Sequence, residues 1–158
     1  MKKNIKNNKG LTLISLVVAV SILIIISTML VYNAKNGSKM RTLYLMENDI
    51  ELLNDKISAF YTKYGALPIE IQYIFTDRIQ EINDANQLNN KDASNQYYIL
   101  DLHALDGITL NYGSDYKNVH NEKDSYKYDD IYFINAESHQ IYYAKGVKVG
   151  NKTYYTSE

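Results

Sequence analysis

The sequence predicts an α+β fold in which a long N-terminal α-helix packs on a small C-terminal antiparallel β-sheet. Three observations support this prediction. Residues 11–32 form an uncharged apolar run, residues 43–64 carry an apolar stripe with helical spacing, and short β-rich segments separated by turn residues follow from residue 108. One long helix followed by antiparallel strands is typical of an α+β domain with appendages.

The apolar run of 22 residues without a charge is the strongest single feature. As a helix it would be about 33 Å long, which is enough to cross the hydrocarbon core of a bilayer. Four lysines precede it, at positions 2, 3, 6 and 9. A basic flank before an apolar span places that flank on the cytoplasmic side, although Lys35, Lys39 and Arg41 follow the span closely and weaken the asymmetry.

Composition excludes several classes of protein. The formal net charge of −1 gives no basic field and therefore no direct signal for nucleic-acid binding. The chain has no cysteine, which rules out disulfides and anchoring through a lipidated cysteine. An ordinary cleavable secretion signal is disfavoured because its apolar part is usually about 7–15 residues long and ends in a small-x-small site, whereas Tyr32 stands at the corresponding position here.

The junction before the apolar run carries a recognisable motif. It reads Lys9-Gly10-Leu11-Thr12-Leu13-Ile14-Ser15-Leu16-Val17-Val18. A short basic leader that ends in glycine, then an apolar residue, a Thr-Leu pair and an unbroken apolar helix resembles the type IV prepilin and pseudopilin family, which is processed by prepilin peptidase. Two positions depart from the family pattern: Leu11 stands in place of the usual Phe, and Ser15 stands in place of the usual Glu.

The resemblance implies cleavage after Gly10 and N-methylation of the new N-terminus at Leu11, with Thr12, Leu13 and Ser15 contributing to assembly. Gly10 has no Cβ, which lets the chain extend into a protease site. The implied partners are prepilin peptidase, other pilin or pseudopilin subunits, an assembly-platform membrane protein and the lipid bilayer. The chain then divides into a basic leader (1–10), a transmembrane and assembly helix (11–32), an amphipathic continuation (33–65) and a globular α+β head (66–158).

Ser15 has a specific implication within this resemblance. The usual glutamate is thought to neutralise the N-terminal ammonium of a neighbouring subunit, and Ser15 can only offer a hydrogen bond. The tip subunit of the related type II secretion pseudopilus also lacks this glutamate. One hypothesis is therefore that the chain primes or caps a filament, and the other is that Ser15 is tolerated drift elsewhere in the filament.

The second half of the long helix is predicted from an apolar stripe spaced by three and four residues. Its members are Leu43, Met46, Ile50, Leu53, Ile57, Phe60 and Tyr64. The charged residues, which are Glu47, Asp49, Glu51, Asp55, Lys56 and Lys63, are expected on other faces. Residues 36–38 (Asn-Gly-Ser) are expected to interrupt the helix, and Gly65 with Pro68 is expected to end it.

The rest of the chain is predicted from shorter patterns. A second amphipathic helix is expected from Ile71 to about Asn83, and loops over residues 84–96 and 113–129. Asp101 is expected to cap a short helical turn. Strands are expected at residues 108–112, 131–135, 140–144 and 152–156, with turns at 136–139 and at Gly150-Asn151.

No catalytic, metal or cofactor site is predicted, and we expect no enzymatic activity. The three histidines (His103, His120 and His139) lie far apart with no ligand spacing. Asp124, Asp129 and Asp130 are candidates for calcium, but they do not form a recognisable loop motif, so a solvated acidic loop is expected. A membrane-tethered hydrolase would need convergent polar groups that the sequence does not reveal.

Tyrosine is over-represented, with 16 copies and no tryptophan. Of the paired tyrosines at 97–98, 142–143 and 154–155, one ring of each pair is expected in the core and the other exposed.

The functional expectation is a minor pilin or pseudopilin of a pilus, a DNA-uptake (competence) pseudopilus or a type II-like secretion system. It would be a single-pass protein of the cytoplasmic membrane with its head outside, and then part of an extracellular filament. The alternative is a signal-anchored protein with an extracellular binding domain that does not assemble.

Overall fold

The computed structural model describes residues 9–89 and 96–157, without the side chains of residues 9–14, 33, 35 and 36. Its helices and strands are α1 (Lys9–Tyr64), β1 (Ile69–Gln72), α2 (Thr76–Asp84), β2 (Tyr97–Leu100), β3 (Tyr132–Asn135), β4 (Ile141–Tyr143), β5 (Val147–Val149) and β6 (Lys152–Tyr154), with 3-10 helices at Ser114–Asn118 and Glu122–Tyr126. The strands β1-β2-β3-β4 form one antiparallel sheet, and β5-β6 form a separate hairpin. A long helix packed on a small antiparallel sheet confirms the predicted α+β class.

Helix α1 runs through residues 36–38, where the sequence predicts an interruption. A Cβ added at Gly37 would meet no atom within 4 Å, so packing does not demand a glycine there. The expected break was wrong because one asparagine, one glycine and one serine lower helix stability by only about 2 kcal/mol together, which a long helix tolerates. The chain nevertheless divides into two compact units next to this segment, Met1–Ser38 and Lys39–Glu158.

The stripe on the second half of α1 forms one side of the core, as predicted. Its five members from Leu43 to Ile57 are buried and pack with sheet residues, among them Tyr132 and Ile134. The prediction was wrong at the C-terminal end, where Phe60 is only half-buried and Tyr64 is 58% exposed. The sheet therefore covers α1 only as far as Phe60.

The predicted end of α1 is confirmed. Helix α1 ends at Tyr64, and Gly65 has a φ of +69°, the left-handed conformation that glycine adopts at a helix C-terminus. The N–H of Gly65 donates to the carbonyl of Tyr61 at 2.8 Å. Pro68 follows three residues later and cannot continue the helix.

The predicted second helix was wrong in its first half. Residues 69–72 form strand β1, which pairs with β2 through Ile69 and Leu100 and through Gln72 and Tyr98, with a register shift between them. The alternation Ile-Glu-Ile-Gln after a proline follows the strand period of two rather than the helical period. Helix α2 begins only at Thr76 and buries Ile82.

The four-stranded sheet is covered on both faces. One face packs on α1, and the opposite face packs in a second core that includes Tyr73, Ile82, Tyr97, Phe133 and Tyr142. In that core the rings of Tyr73 and Phe133 stack with centroids 4.0 Å apart. The expectation of one exposed ring per tyrosine pair therefore failed at Tyr142 and Tyr143, which are both buried.

The predicted hairpin β3-β4 was confirmed, as were the turn at Gly150-Asn151 and the strand after it, but strand β5 was not predicted and the strand predicted at residues 108–112 was wrong. That segment is irregular, and the backbone N–H groups of Asn111 and Tyr112 donate to the carboxylate of Asp49 on α1. The expectation that Asp49 lies on a face away from the core was also wrong, because this loop covers it and the residue is only 2% exposed.

The turn expected at Asp101 was also confirmed. The side chain of Asp101 accepts from the backbone N–H groups of His103, at 2.9 Å, and Ala104, at 3.3 Å. This arrangement leads the chain out of β2 and into the loop that contacts α1.

Candidate functional site

The candidate site is the uncovered apolar surface of α1 over residues 15–32. Every large apolar side chain in this stretch is exposed, from 46% at Val20 to 68% at Tyr32. The helix contains one stretch that is long and apolar enough to cross a membrane, and no part of that stretch is buried within the protein. An apolar surface of this size is normally covered by lipid or by other protein.

Two polar side chains within this surface bond to the helix itself. The hydroxyl of Ser21 donates to the carbonyl of Val17 at 2.8 Å, and the hydroxyl of Thr28 donates to the carbonyl of Ile25 at 2.8 Å. Such bonds let hydroxyl groups enter an apolar medium without an unpaired donor. The surface is therefore chemically suited to contact lipid tails or the apolar faces of other helices.

The residues of the sequence motif lie at the N-terminal end of this helix. The backbone of Gly10, Leu11, Thr12 and Leu13 belongs to α1, while their side chains lie outside the described residues. Ser15 is the first motif residue whose side chain is described, and it is exposed. The motif and the uncovered apolar surface are therefore continuous along one helix.

No family model, curated protein or solved structure matches this chain significantly. The features of the chain that bear on its function are therefore the motif, the apolar surface and the chemistry of the head.

A second feature, which sequence reasoning missed, is a pair of carboxylates that hold the loop over residues 111–114. Oδ2 of Asp49 accepts from the backbone N–H groups of Asn111 and Tyr112, each at 2.9 Å, and from the hydroxyl of Tyr132 at 3.0 Å. Burial, together with the charge of Asp49, raises the pKa of Tyr132 far above its ordinary value. Tyr132 therefore stays a hydrogen-bond donor throughout the physiological pH range.

Asp130 holds the next two residues of the same loop. Its carboxylate accepts from the backbone N–H of Gly113 at 2.7 Å, from the N–H and hydroxyl of Ser114, and from the hydroxyl of Tyr143 at 2.9 Å. Burial opposes ionisation of Asp130, but these hydrogen bonds outweigh it and lower its pKa below the ordinary value. Four consecutive N–H groups are thus fixed by two side chains.

The acidic residues considered for calcium at the sequence level do not act together. Asp124 belongs to the capping box of a 3-10 helix whose N-cap is Asn121. Its Oδ2 accepts from the backbone N–H of His120 at 2.9 Å, and its Oδ1 lies 3.1 Å from Nζ of Lys127. Asp129 pairs with Lys145 at 3.5 Å. Among the residues that the structure describes, no three His, Cys, Asp or Glu side chains come together in a way that could hold a metal ion.

Acid should destabilise the head through Asp130 and Asp124. The pKa of Asp124 is lowered chiefly by the hydrogen bond from His120, as that of Asp130 is by its donors. Both carboxyl groups have a lower pKa in the folded than in the unfolded protein. Their contribution to the stability of the head is therefore complete above the ordinary pKa near 3.8 and is lost as the pH falls below it. We expect the urea midpoint of the full chain in micelles to fall between pH 6 and pH 3.

The matched variant for this acid effect is Asp130→Asn, which should have a shallower dependence of the urea midpoint on pH over the same range. Asp55→Asn, at an exposed position on α1, should keep the wild-type dependence. Equal slopes for all three proteins would show that the hydrogen-bonded carboxylate does not contribute to acid sensitivity.

Proposed function

We propose that the chain is a minor pilin or pseudopilin of a type IV filament system, processed after Gly10 and assembled through its apolar N-terminal helix. The observation that carries the proposal is the position of the apolar surface of α1, directly after the Lys9-Gly10 junction and before a folded head. A single anchor requires only the span. The leader length, the glycine and the Thr-Leu pair are the additional features that favour processing.

The mechanism follows from the two environments that the helix would occupy in turn. In the membrane, residues 11–32 span the bilayer with the basic leader at the cytoplasmic face, where prepilin peptidase would cut. Cleavage leaves the ammonium of Leu11 at the membrane edge. In the filament, the same apolar surface packs against the helices of other subunits after the assembly platform extracts it, and the head is displayed outside.

Substitution of Gly10 tests the processing step. We expect Gly10→Val to retain residues 1–10, because a β-branched side chain hinders the extended conformation that a protease site needs. The matched control is Gly37→Val, at an exposed position with open space around it. Intact mass of the protein from cells with an active prepilin peptidase should show loss of residues 1–10 and one added methyl group in the control only.

Unprocessed wild-type protein in such cells would contradict the proposal and would favour the second candidate, a signal-anchored protein with an external binding domain. The feature that favours this candidate is the compact unit Lys39–Glu158, which has its own core. It requires a span but neither cleavage nor assembly. Retention of residues 1–10 together with stable membrane integration would identify it.

Ser15 supports placement at the filament tip. A subunit at the tip has no further neighbour whose ammonium requires a carboxylate, so loss of the usual glutamate costs it nothing. We expect Ser15→Glu to reduce filament initiation several-fold, measured as filaments per cell, because the tip offers no neighbouring ammonium for the new carboxylate and an unpaired charge within the span costs about 2.5–3.5 kcal/mol. Ser21→Glu places a carboxylate in the span away from the position of the usual glutamate and should cause a similar loss. Wild-type initiation with Ser15→Glu together with reduced initiation with Ser21→Glu would contradict placement at the tip, because the carboxylate at position 15 would then be paired.

A further inference from the structure

Three lysines surround a small cavity in the head. The cavity has a volume of about 200 Å³ and is lined by Lys39 and Thr42 of α1, Tyr112 of the loop held by Asp49, and Tyr143, Lys145 and Lys148 around the turn from β4 to β5. Lys39, Lys145 and Lys148 are exposed, whereas Tyr143 is buried beneath them. Two segments distant in sequence therefore place three lysine residues around one cavity. We call the three lysines with their cavity the lysine cradle.

The backbone around the lysine cradle is fixed. Gly146 has a φ of +66°, and a Cβ there would lie 2.7 Å from the side chains of Thr153 and Tyr155, so the turn accepts only glycine without rearrangement. The N–H of Gly146 donates to the carbonyl of Tyr143 at 3.1 Å. Val147 is buried in the core against α1, which leaves Lys148 on the outer side of β5.

The charge of the lysine cradle is only partly balanced. Lys145 pairs with Asp129 at 3.5 Å, while neither Lys39 nor Lys148 forms an ion pair with another described residue. The other nearby carboxylate, Asp130, accepts from the hydroxyl of Tyr143 and from Gly113 and Ser114. The cradle therefore attracts a compact anion, and its volume lies below the roughly 300–1,000 Å³ typical of sites for larger ligands.

The position of Lys39 in the chain indicates which anion is present at high local concentration. Lys39 stands seven positions after Tyr32, the end of the uncharged span. From Tyr32 to Met46 the chain contains Lys35, Lys39 and Arg41 and no acidic residue. Basic residues just beyond a span attract anionic lipid headgroups.

We propose that the lysine cradle binds the phosphate headgroup of an anionic phospholipid in the leaflet next to the head. The contact would hold the head against the bilayer before the helix leaves it. Headgroup binding depends on the membrane span but on neither cleavage at Gly10 nor filament assembly. Its test can therefore fail while the proposed function stands, and headgroup binding can be found even if the chain is neither cleaved nor assembled.

Amine labelling of the full chain in nanodiscs tests this proposal. Discs of phosphatidylcholine alone are compared with discs that contain one third phosphatidylglycerol, and the acetylation rate of each lysine is measured by peptide mass spectrometry. We expect labelling of Lys39, Lys145 and Lys148 to slow at least threefold in the anionic discs and to recover in 0.5 M NaCl. Lys117 and Lys123, exposed elsewhere on the head, should not change.

A pair of matched double variants gives the second measurement. Lys145→Ser with Lys148→Ser should remove the protection of Lys39 in anionic discs, whereas Lys117→Ser with Lys123→Ser should preserve it. Equal labelling in both kinds of disc, or uniform slowing of every lysine, would overturn the proposal. Protection by inorganic phosphate in phosphatidylcholine discs, without a further effect of phosphatidylglycerol, would also overturn it, because the site would then take a free anion.

Discussion

Asp49→Ala is expected to lower the free energy of unfolding of the head by about 3–5 kcal/mol. The substitution removes the shared acceptor of four donors, which are the backbone N–H groups of Asn111 and Tyr112, the side-chain amide of Asn111 and the hydroxyl of Tyr132. Buried donors left without a partner cost about 1–3 kcal/mol each, and partial access of water to the loop reduces the sum. Thermal unfolding in micelles, followed by near-ultraviolet circular dichroism of the tyrosines, should show a Tm lower by about 10–20 °C.

Two further variants make the Asp49 result specific. Asp55→Ala removes an exposed carboxylate from the same helix and should change stability by less than about 0.5 kcal/mol. Asp49→Asn keeps one acceptor oxygen but turns an amide donor toward other donors, so we expect a loss between those of the two alanine variants. A Tm for Asp49→Ala within 2 °C of the Asp55→Ala value, a margin that corresponds to about 0.5 kcal/mol, would refute the anchoring role of Asp49.

Two acidic residues in the middle of the apolar run should abolish membrane integration. Ile22→Asp with Ile25→Asp places two carboxylates where exposed apolar side chains stand, at a cost of about 5–7 kcal/mol on insertion scales. After alkaline carbonate extraction of membranes, we expect the wild-type protein in the pellet and the variant in the supernatant. The total of both fractions should be quantified so that degradation is not mistaken for release.

The control for the span variant carries the same two substitutions farther along the helix. Met40→Asp with Tyr44→Asp changes positions that are 54% and 61% exposed in the unit that forms the head. This control should stay in the pellet, because it leaves residues 11–32 unchanged. Retention of both variants in the membrane would show that the apolar surface of α1 is not in contact with lipid.

Long periodic patterns in the sequence predicted the fold best. Helix α1, its end at Gly65, the hairpin β3-β4 and the turn before β6 follow from spacing and turn residues that act locally. Strand β1 escaped prediction because its alternation covers only four residues, while Ile71 also fits the helical spacing of Ile74 and Phe75. The burial of Asp49 had a local signal: it stands three residues after Met46 and four before Leu53, which places it on the stripe face.

The candidate sites also differ in how far the sequence alone could predict them. The junction at Gly10 and the span at residues 11–32 are contiguous, so a linear pattern contains all the information that defines them. The lysine cradle joins Lys39 to Lys145 and Lys148, more than one hundred positions apart, through the register of β4 and the turn at Gly146. Residues that are brought together only by tertiary packing have no characteristic spacing in the sequence, so the sequence could not predict the lysine cradle.

The double covering of the four-stranded sheet limits where the head can evolve new contacts. A sheet with one open side can change its outward side chains one at a time, but here substitutions in β2, β3 and β4 would mostly disturb one core or the other. Diversity in recognition is therefore confined to the connections, above all residues 101–130, which pack over the sheet yet leave many side chains at the surface. Among relatives of this protein, those connections should diverge fastest while the strands change least.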